Sequence, residues 1–207
     1  MYIPASFIIS DLPELHAFMR RHSFAMLVTH GNDGMTASHL PLLLDAEMEP
    51  HGMLLGHMAR ANPQWRDIAG EALVIFSGPH AYVSPTWYET PGTVPTWNYV
   101  AVHAYGAVEL VEDRDSLHDI LTRTVSIYER QMPEPWSYDI NDPDLDKMLK
   151  GIVGFRIKIS RLEGKAKLNQ HHPEERRRKV IRALEGQTSD DSQAIAKLMA
   201  ATLPAAP

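Results

Sequence analysis

The feature that most constrains the fold is a series of short apolar segments separated mainly by turn signals rather than by helices. Residues 24–29 and 35–44 are strand-like runs on either side of Gly31–Asn32–Asp33–Gly34, where glycine and asparagine tolerate a positive φ. Residues 153–160 alternate between apolar and polar side chains, which is typical of a strand. Because strands and helices do not alternate strictly along the chain, the pattern predicts an antiparallel barrel rather than a doubly wound parallel sheet.

The remaining segments complete this prediction. Further strands are predicted over residues 51–58, 71–78, 80–84 and 99–111. Helices are predicted over residues 11–19, 62–68, 116–130, 173–185 and 190–201. Asn62 is the expected N-cap of the second of these helices, with Pro63 at its first position. The fold class is therefore α+β, mainly β, with a barrel domain over residues 1–170 and C-terminal helices over residues 171–207.

The composition excludes several function classes. The 207 residues contain no cysteine, which excludes disulfides, thiolate metal sites and thiol catalysis. The first residues carry no basic segment followed by an apolar run, and no stretch approaches the roughly 18 apolar residues that span a bilayer. We therefore expect a cytoplasmic protein. The formal net charge of −6 disfavours a general attraction to nucleic acid.

Residues 78–103 form an unusually aromatic stretch. Two Pro–Thr–Trp triplets, at residues 85–87 and 95–97, occur within it. Aromatic rings stack on planar ligands, and neighbouring Tyr or Asn side chains orient such ligands through hydrogen bonds. The alternative is a loop that packs on the core or on a second subunit.

A second candidate is the turn of residues 56–63, where a predicted strand ends and a predicted helix begins. Free backbone N–H groups at a helix N-terminus bind phosphate, and the Arg60 guanidinium adds donors whose geometry suits phosphate oxygens. The sequence contains neither the glycine-rich dinucleotide motif nor a P-loop. The alternative is that Arg60 is an ordinary surface charge.

Two further segments have two interpretations each. Ser38–His39–Leu40–Pro41 interrupts an apolar strand with polar residues, which suits either backbone hydrogen bonds to a ligand edge or a partly exposed edge strand. The basic run Arg176–Arg177–Arg178–Lys179 would contact DNA phosphates, or would be a solvated helix face paired with nearby glutamates. The 11 histidines have no metal-ligand spacing, and no Gly-x-Ser-x-Gly elbow indicates a serine hydrolase.

Four of these segments together resemble the PaiB family of FMN-binding negative transcriptional regulators. The matching segments are residues 38–41, 56–63, 78–88 and 94–99, and the N-terminal Met–Tyr–Ile–Pro and residues 167–170 also fit. The resemblance extends over at least residues 1–185. It implies an antiparallel split β-barrel of the kind shared with pyridoxamine-phosphate oxidases and flavin reductases, with FMN at the interface of a homodimer.

The same resemblance implies which residues bind FMN. Backbone groups of residues 38–41 would line the isoalloxazine edge, and the turn at residues 57–62 would hold the phosphate end. Residues 97–99 would close the pocket, and residues 167–170 would contribute from the late segment. The cofactor-binding residues implied in this way are Ser38, His39, Leu40, Pro41, His57, Arg60, Asn62, Trp97, Asn98, Tyr99, Lys167 and Gln170.

One departure from the family pattern lies at residues 167–172. The family reads Lys-Leu-Ser-Gln-Asn followed by Arg or Lys, whereas this chain reads Lys-Leu-Asn-Gln-His-His, so a serine and a basic residue are lost. The C-terminal helices do not form a convincing helix-turn-helix, because the second carries few side chains that read base edges.

Three functions are consistent with these observations. The first is an FMN-binding transcriptional regulator of the PaiB type, which represses genes directly or through a partner. The second is a flavin-dependent oxidoreductase, either an NAD(P)H:flavin reductase or an enzyme similar to pyridoxamine-phosphate oxidase. The third is a barrel that has lost its flavin and acts as a dimeric interaction module, since fold alone does not decide function.

Overall fold

The computed structural model describes residues 1–139 and 143–204. Within them the strands are β1 (Ile8–Ile9), β2 (Phe24–Gly31), β3 (Gly34–Pro41), β4 (Leu43–Asp45), β5 (Met53–Ala59), β6 (Ala69–Val83), β7 (Thr96–Val111) and β8 (Ile152–Lys167). The α-helices are α1 (Leu12–Arg21), α2 (Arg114–Glu129), α3 (Pro143–Leu149), α4 (Glu174–Glu185) and α5 (Asp190–Ala201). Short 3₁₀ helices cover Ala5–Phe7, Pro63–Arg66 and Pro85–Tyr88.

The described strands form one antiparallel sheet. Their order is β3-β2-β6-β7-β8-β5-β4, and β1 pairs with β8 outside this path. The hairpin of β2 and β3 runs in register from Phe24 opposite Pro41 to Gly31 opposite Gly34. Its two-residue turn falls where glycine and asparagine indicated it, so the predicted hairpin is confirmed.

Two of the strand predictions are wrong. The single strand expected over residues 35–44 is divided into β3 and β4, with Leu42 between them. The separate strands expected over residues 71–78 and 80–84 are a single strand, β6. The expected break was at Gly78–Pro79, but the fixed φ of proline, about −65°, is compatible with extended backbone and does not end a strand. β7 and β8 are also longer than predicted, since each contains 16 residues.

The chain divides into two compact units. The terminal unit comprises residues 1–15, 77–102 and 163–207, and the hairpin unit comprises residues 16–76 and 103–162. Each of the three long strands β6, β7 and β8 contributes residues to both units. The predicted division after residue 170 remains a prediction, and residues 205–207 of its second part lie outside the described residues.

The hairpin unit has an apolar core in which helix α2 packs on strand β8. The predicted alternation of β8 is confirmed, because Val153, Phe155 and Ile157 are fully buried. A Cβ at Gly154 would lie 2.7 Å from Leu117 Cδ2, so only glycine permits this close approach of helix and strand. One buried cluster contains Leu43, Leu55, Val111, Leu117, Ile120 and Leu149.

The terminal unit is built around the C-terminal helices. Val180 and Leu184 of α4 are fully buried, as are Ile195 and Met199 of α5. The spacing of four residues places each pair on one helix face, which is the pattern expected for two helices that pack together. None of the described helices is both long and apolar enough to cross a membrane.

Candidate functional site

In the hairpin unit, one hydrogen bond joins two of the segments predicted to bind FMN. Asn62 caps the 3₁₀ helix Pro63–Arg66, because its Oδ1 accepts from the backbone N–H of Gln64 at 3.0 Å. The Nδ2 of the same amide donates to Ser38 Oγ at 2.9 Å. The predicted cap is therefore confirmed. The bond also fixes the position of the turn at residues 56–63 against strand β3.

Gln64 makes a second connection between this turn and the β2–β3 hairpin. Its side chain is buried, and its Nε2 lies within hydrogen-bond distance of three acceptors. These acceptors are Leu27 O at 3.2 Å, Thr29 Oγ1 at 3.0 Å and Thr36 O at 3.2 Å. The sequence did not identify this residue, because a glutamine after a proline carries no local sign of a partner about 30 residues away.

Strand β3 presents an edge on which a ligand could pair. It is the first strand of the sheet path, so the backbone groups on its outer side have no ladder partner among the described strands. Ser38 is half-buried and His39 is exposed, with the His39 ring stacked 6.2 Å from that of Phe24. Leu40 and Pro41 are half-buried at the end of the strand. Unpaired N–H and C=O groups of this kind bind either another strand or the polar edge of a planar ligand.

The Arg60 guanidinium is engaged within the hairpin unit. It donates to Lys150 O at 3.0 Å, to Ile152 O at 3.0 Å and to Glu112 Oε1 at 2.9 Å. Its Cζ also lies 5.6 Å from the centroid of the Trp65 ring. A phosphate at this guanidinium would compete with the Glu112 carboxylate, so the predicted phosphate contact of Arg60 remains a prediction.

His57 lies on β5 in the hairpin unit. Its side chain is half-buried, and burial lowers its pKa. Burial disfavours the charged form, so this ring is neutral at pH 7 and offers one donor and one acceptor rather than a positive charge. The phosphate role predicted for His57 therefore depends on a hydrogen bond and not on charge.

In the terminal unit, the three consecutive residues Trp97, Asn98 and Tyr99 have different environments. Trp97 is 53% exposed, and its ring contacts that of Tyr82 edge-on at 5.8 Å. Asn98 is fully buried, and its Nδ2 donates to Met199 Sδ at 3.3 Å. Tyr99 is half-buried, with the Lys165 ammonium 5.0 Å from its ring centroid. Of these three side chains, Trp97 is the most exposed.

The terminal unit also contains a cleft of about 490 Å³. We call it the basic cleft, and the lining residues that matter here are Tyr88, Thr96, Lys167, His171, His172 and Arg176. Lys167 Nζ donates to Thr96 Oγ1, and Arg176 Nη1 lies 3.0 Å from His172 Nδ1. The two histidine rings are 4.0 Å apart, and the Tyr88 ring lies 5.1 Å from that of His172.

The histidines of the basic cleft are neutral. Burial, His171 and Arg176 together lower the pKa of His172 to about 4. Burial, Lys167 and Arg176 lower the pKa of His171. Since a guanidinium can only donate, His172 Nδ1 accepts from Arg176, and the ring proton of His172 resides on Nε2. The positive charge of the cleft therefore comes from Lys167 and Arg176.

The loop between β8 and α4 is fixed by its own amides. Gln170 Oε1 accepts from Leu168 N at 2.7 Å, and Gln170 Nε2 donates to Ala166 O at 2.6 Å. Asn169 is fully buried with a φ of 63°, and its Nδ2 donates to Tyr88 Oη at 3.1 Å. Asparagine tolerates this left-handed conformation better than serine does. The ligand contact predicted for Gln170 remains a prediction, because both ends of its amide already hold the loop.

The four-residue basic run of α4 does not form a single surface. Arg177 is buried and donates to Thr202 Oγ1, whereas Arg178 pairs with Glu174 at 2.7 Å. Lys179 lies 2.8 Å from Glu89 and 3.3 Å from Glu175. Arg176 faces the basic cleft. This arrangement supports the paired-helix interpretation for two of the four cations, and DNA contact through the run remains a prediction.

Each unit, considered by itself, offers features that suit part of a phosphorylated planar cofactor. The described lining of the basic cleft contains two cations and no carboxylate, as an anionic group requires. Taken separately, the exposed Trp97 ring of the terminal unit presents an aromatic face, and the free edge of β3 in the hairpin unit presents backbone hydrogen-bonding groups. The sequence placed Tyr88, Thr96 and Arg176 in separate candidate segments but did not predict that they line one cleft, because their proximity arises only from folding.

Comparison with solved structures defines the class to which this fold belongs. The FAD and heme binding protein from Mycobacterium smegmatis has a TM-score of 0.58 and 13% identity, over 77% of this chain and 72% of that one. The flavocytochrome Anf3 from Azotobacter vinelandii has a TM-score of 0.56 and 13% identity, over 76% of this chain and 68% of that one. At these identities the likeness establishes the fold alone, and it confirms the predicted antiparallel split barrel.

Sequence comparison then identifies the family. A family model described as "Putative FMN-binding domain" matches residues 1–161, and the chain belongs to this family. It is 38% identical over 202 residues to the protease synthase and sporulation protein PAI 2 of Bacillus subtilis, with 96% of each chain covered. An uncharacterised protein of Aspergillus fumigatus is 28% identical in an alignment of 249 positions, which covers 95% of each chain. The resemblance to the PaiB family is thereby confirmed. FMN is the cofactor of this protein.

Proposed function

We propose that this protein is an FMN-binding negative regulator of the PaiB type that works as a homodimer. The observation that carries the proposal is the hydrogen bond from Asn62 Nδ2 to Ser38 Oγ. It holds the proposed phosphate turn against the strand whose free edge would receive the isoalloxazine. A flavin that uses both ends at once requires such a fixed spacing.

Within the hairpin unit, the predicted FMN-binding residues have distinct proposed roles. Backbone groups of residues 38–41 orient the polar edge of the ring, and the turn at residues 57–62 holds the phosphate end, as the resemblance implies. Neutral His57 adds a hydrogen bond. When bound, FMN supplies one- and two-electron redox chemistry. The roles of the terminal-unit residues Trp97, Asn98, Tyr99, Lys167 and Gln170 rest on the resemblance alone.

The cofactor proposal is tested by the absorbance of the purified protein and by FMN titration. We expect flavin bands and saturable FMN binding. Ser38→Ala removes the acceptor of the Asn62 amide and should weaken FMN binding by roughly fivefold to tenfold, since one neutral hydrogen bond contributes about 1 kcal/mol. Ser126→Ala, on the exposed face of α2, is the matched control. Unchanged FMN affinity in Ser38→Ala would contradict the proposed role of the bond.

The proposed regulatory role draws on the relative named for protease synthesis and sporulation. Two of the four cations of the α4 basic run already pair with glutamates, and a third is buried. This pairing favours regulation through a protein partner over direct DNA contact by α4. Fluorescence anisotropy with duplex DNA at 50 and 200 mM salt tests this choice. Steeply salt-dependent binding that is lost in Arg178→Ala would instead assign α4 to DNA.

A second candidate is a flavin-dependent oxidoreductase. The solved structures of similar fold include a flavocytochrome and a protein that binds FAD and heme, which favours redox chemistry on this scaffold. The exposed Trp97 ring leaves an aromatic face available to a second planar substrate. Oxidation of NADPH or NADH by the FMN-loaded protein, faster than by free FMN, would support this function. The absence of turnover with either donor would count against it.

A further inference from the structure

We propose that the basic cleft binds the phosphate group of a phosphorylated small molecule, through Lys167 and Arg176. The cleft is formed entirely by residues of the terminal unit, and the proposal does not require the phosphate turn at Asn62 to be correct. Its residues Tyr88, Thr96, His172 and Arg176 have no role in the function proposed above.

The first argument is the charge balance of the cleft. Lys167 and Arg176 both line it, and neither pairs with a carboxylate of the described residues, within the cleft or outside it. On the same helix, Arg178 and Lys179 each pair with a glutamate. Two cations that line one cleft without a counter-charge both attract an oxyanion that enters it. Burial lowers the pKa of Lys167, as expected for a cation that lacks an anionic partner.

The second argument is the set of donors that remain available. Lys167 spends one of its three N–H donors on Thr96 Oγ1, and Arg176 spends one of its five on His172 Nδ1. With Nδ1 occupied as an acceptor, the Nε2–H of His172 is a neutral donor. A phosphate monoester has three oxygens beyond its ester bond and accepts several charge-assisted hydrogen bonds at once. A lysine, an arginine and a neutral histidine in one cleft match that demand.

The third argument is that the cationic side chains are held in position. Arg176 lies over the Tyr88 ring at 5.5 Å, and Tyr88 is itself fixed by the hydrogen bond from Asn169. The His171 ring contacts that of Phe7 edge-on at 5.5 Å. A site whose side chains are already ordered loses little conformational entropy on binding, which distinguishes it from a surface arginine. The aromatic and apolar wall also suits a ligand in which the phosphate is attached to a ring.

Two sources of this phosphate share the same chemistry. One is the phosphate of FMN itself, and the other is a separate phosphorylated metabolite. Inorganic phosphate is the probe for the site. Its binding to the full-length protein is measured by calorimetry, first without flavin and then with saturating FMN. Loss of phosphate binding in the FMN-loaded protein assigns the site to FMN, whereas unchanged binding assigns it to a separate ligand.

The variants decide whether the cleft is the site. Arg176→Gln and Lys167→Gln should each weaken phosphate binding by about tenfold or more, because each removes a charge-assisted donor. Arg178→Gln, two residues further along the same helix and paired with Glu174, should bind phosphate like the parent. Equal phosphate affinity of Arg176→Gln and Arg178→Gln would overturn the proposal.

A second measurement protects the test against misfolding and separates the two proposals. In the unmodified protein, phosphate should shift the ¹H–¹⁵N signals of the His171 and His172 rings, and the absence of a shift would overturn the proposal. FMN binding measured by fluorescence quenching is an independent readout. If Ser38→Ala leaves the FMN affinity unchanged while Arg176→Gln loses phosphate binding, the phosphate site in the basic cleft is supported and the function proposed above is contradicted.

Discussion

Replacing Gln64 by Glu tests whether the buried amide fastens the turn to the hairpin. Gln64 is 3% exposed, and its Nε2 faces the carbonyl oxygens of Leu27 and Thr36 at 3.2 Å each. A carboxylate would place an acceptor against two acceptors, leaving Thr29 as the one partner that can donate. The side chain must then remain ionised in a buried position with Thr29 as its single donor, or take up a proton.

The expected loss of stability in Gln64→Glu follows from protonation of the buried glutamate. Protonating a glutamate of ordinary pKa about 4.3 at pH 7 costs about 3.7 kcal/mol. The neutral acid recovers part of this with one hydrogen bond of about 1 kcal/mol. We therefore expect Gln64→Glu to lower the free energy of unfolding by about 3 kcal/mol at pH 7. In a chain of this length this corresponds to a fall in Tm of about 6–12 °C.

The assay is urea denaturation followed by circular dichroism between pH 4.5 and 8. A buried glutamate with a raised pKa binds more protons in the folded state, so the deficit of Gln64→Glu should shrink as the pH falls toward 4.5. Gln64→Met removes the amide donors without adding an acceptor and should cost about 1–3 kcal/mol at every pH. Gln187→Glu, whose side chain is exposed, is the control and should change stability little. A deficit in Gln64→Glu that is independent of pH would refute the reasoning.

Three further residues, Gly106, Asn169 and His172, test other contacts. A Cβ at Gly106 would overlap the carbonyl oxygen of Lys158, so Gly106→Ala should destabilise by about 2 kcal/mol or more in the same urea assay, and a loss under about 0.5 kcal/mol would contradict this contact. Asn169→Ala should destabilise more than Asn169→Gly, although both lose the bond to Tyr88, because alanine is strained at a φ of 63°; equal melting temperatures would argue against that strain. His172 should titrate near pH 4 by NMR, and a midpoint near 6.5 would be inconsistent with its burial. Since its pKa is lower in the folded protein, the free energy of unfolding should fall as the pH drops from 6.5 to 4. The difference between a pKa of 6.5 and one of about 4 corresponds to a fall in the free energy of unfolding of at most about 3 kcal/mol, which solvent screening of this partly exposed ring reduces to about 1 kcal/mol. His172→Gln should abolish this pH dependence.

The features that the sequence predicted correctly are local. The hairpin turn depends on Gly34, whose φ is 102°, and the cap depends on Asn62 next to Pro63. Each is determined by backbone preferences of the residues that form it. The break at Gly78–Pro79 was predicted by the same local reasoning and failed, because proline stops a helix more reliably than it stops a strand.

The features that the sequence did not predict depend on which side of an element faces the interior. The run Arg176–Arg177–Arg178–Lys179 suggested one basic surface, but successive helix residues are rotated by about 100°. Arg177 therefore faces inward, Arg176 faces the basic cleft, and Arg178 pairs along the helix with Glu174. The hydrogen bond from Asn62 to Ser38 likewise could not be predicted without the sheet register, since 24 residues separate the two.

The acidic net charge and the basic cleft are compatible because electrostatic effects are local in salt solution. At physiological ionic strength the screening length is about 8 Å, so distant carboxylates contribute little to the potential inside the cleft. Lys167 and Arg176 line the same cleft, and their attraction for an oxyanion is weakened by water less than it would be on an open surface. A chain of net charge −6 can therefore bind a small phosphate at one point while its surface as a whole does not attract the long anionic backbone of DNA. This difference is the physical reason to expect a small phosphorylated ligand, rather than nucleic acid, at the unpaired cations of this protein.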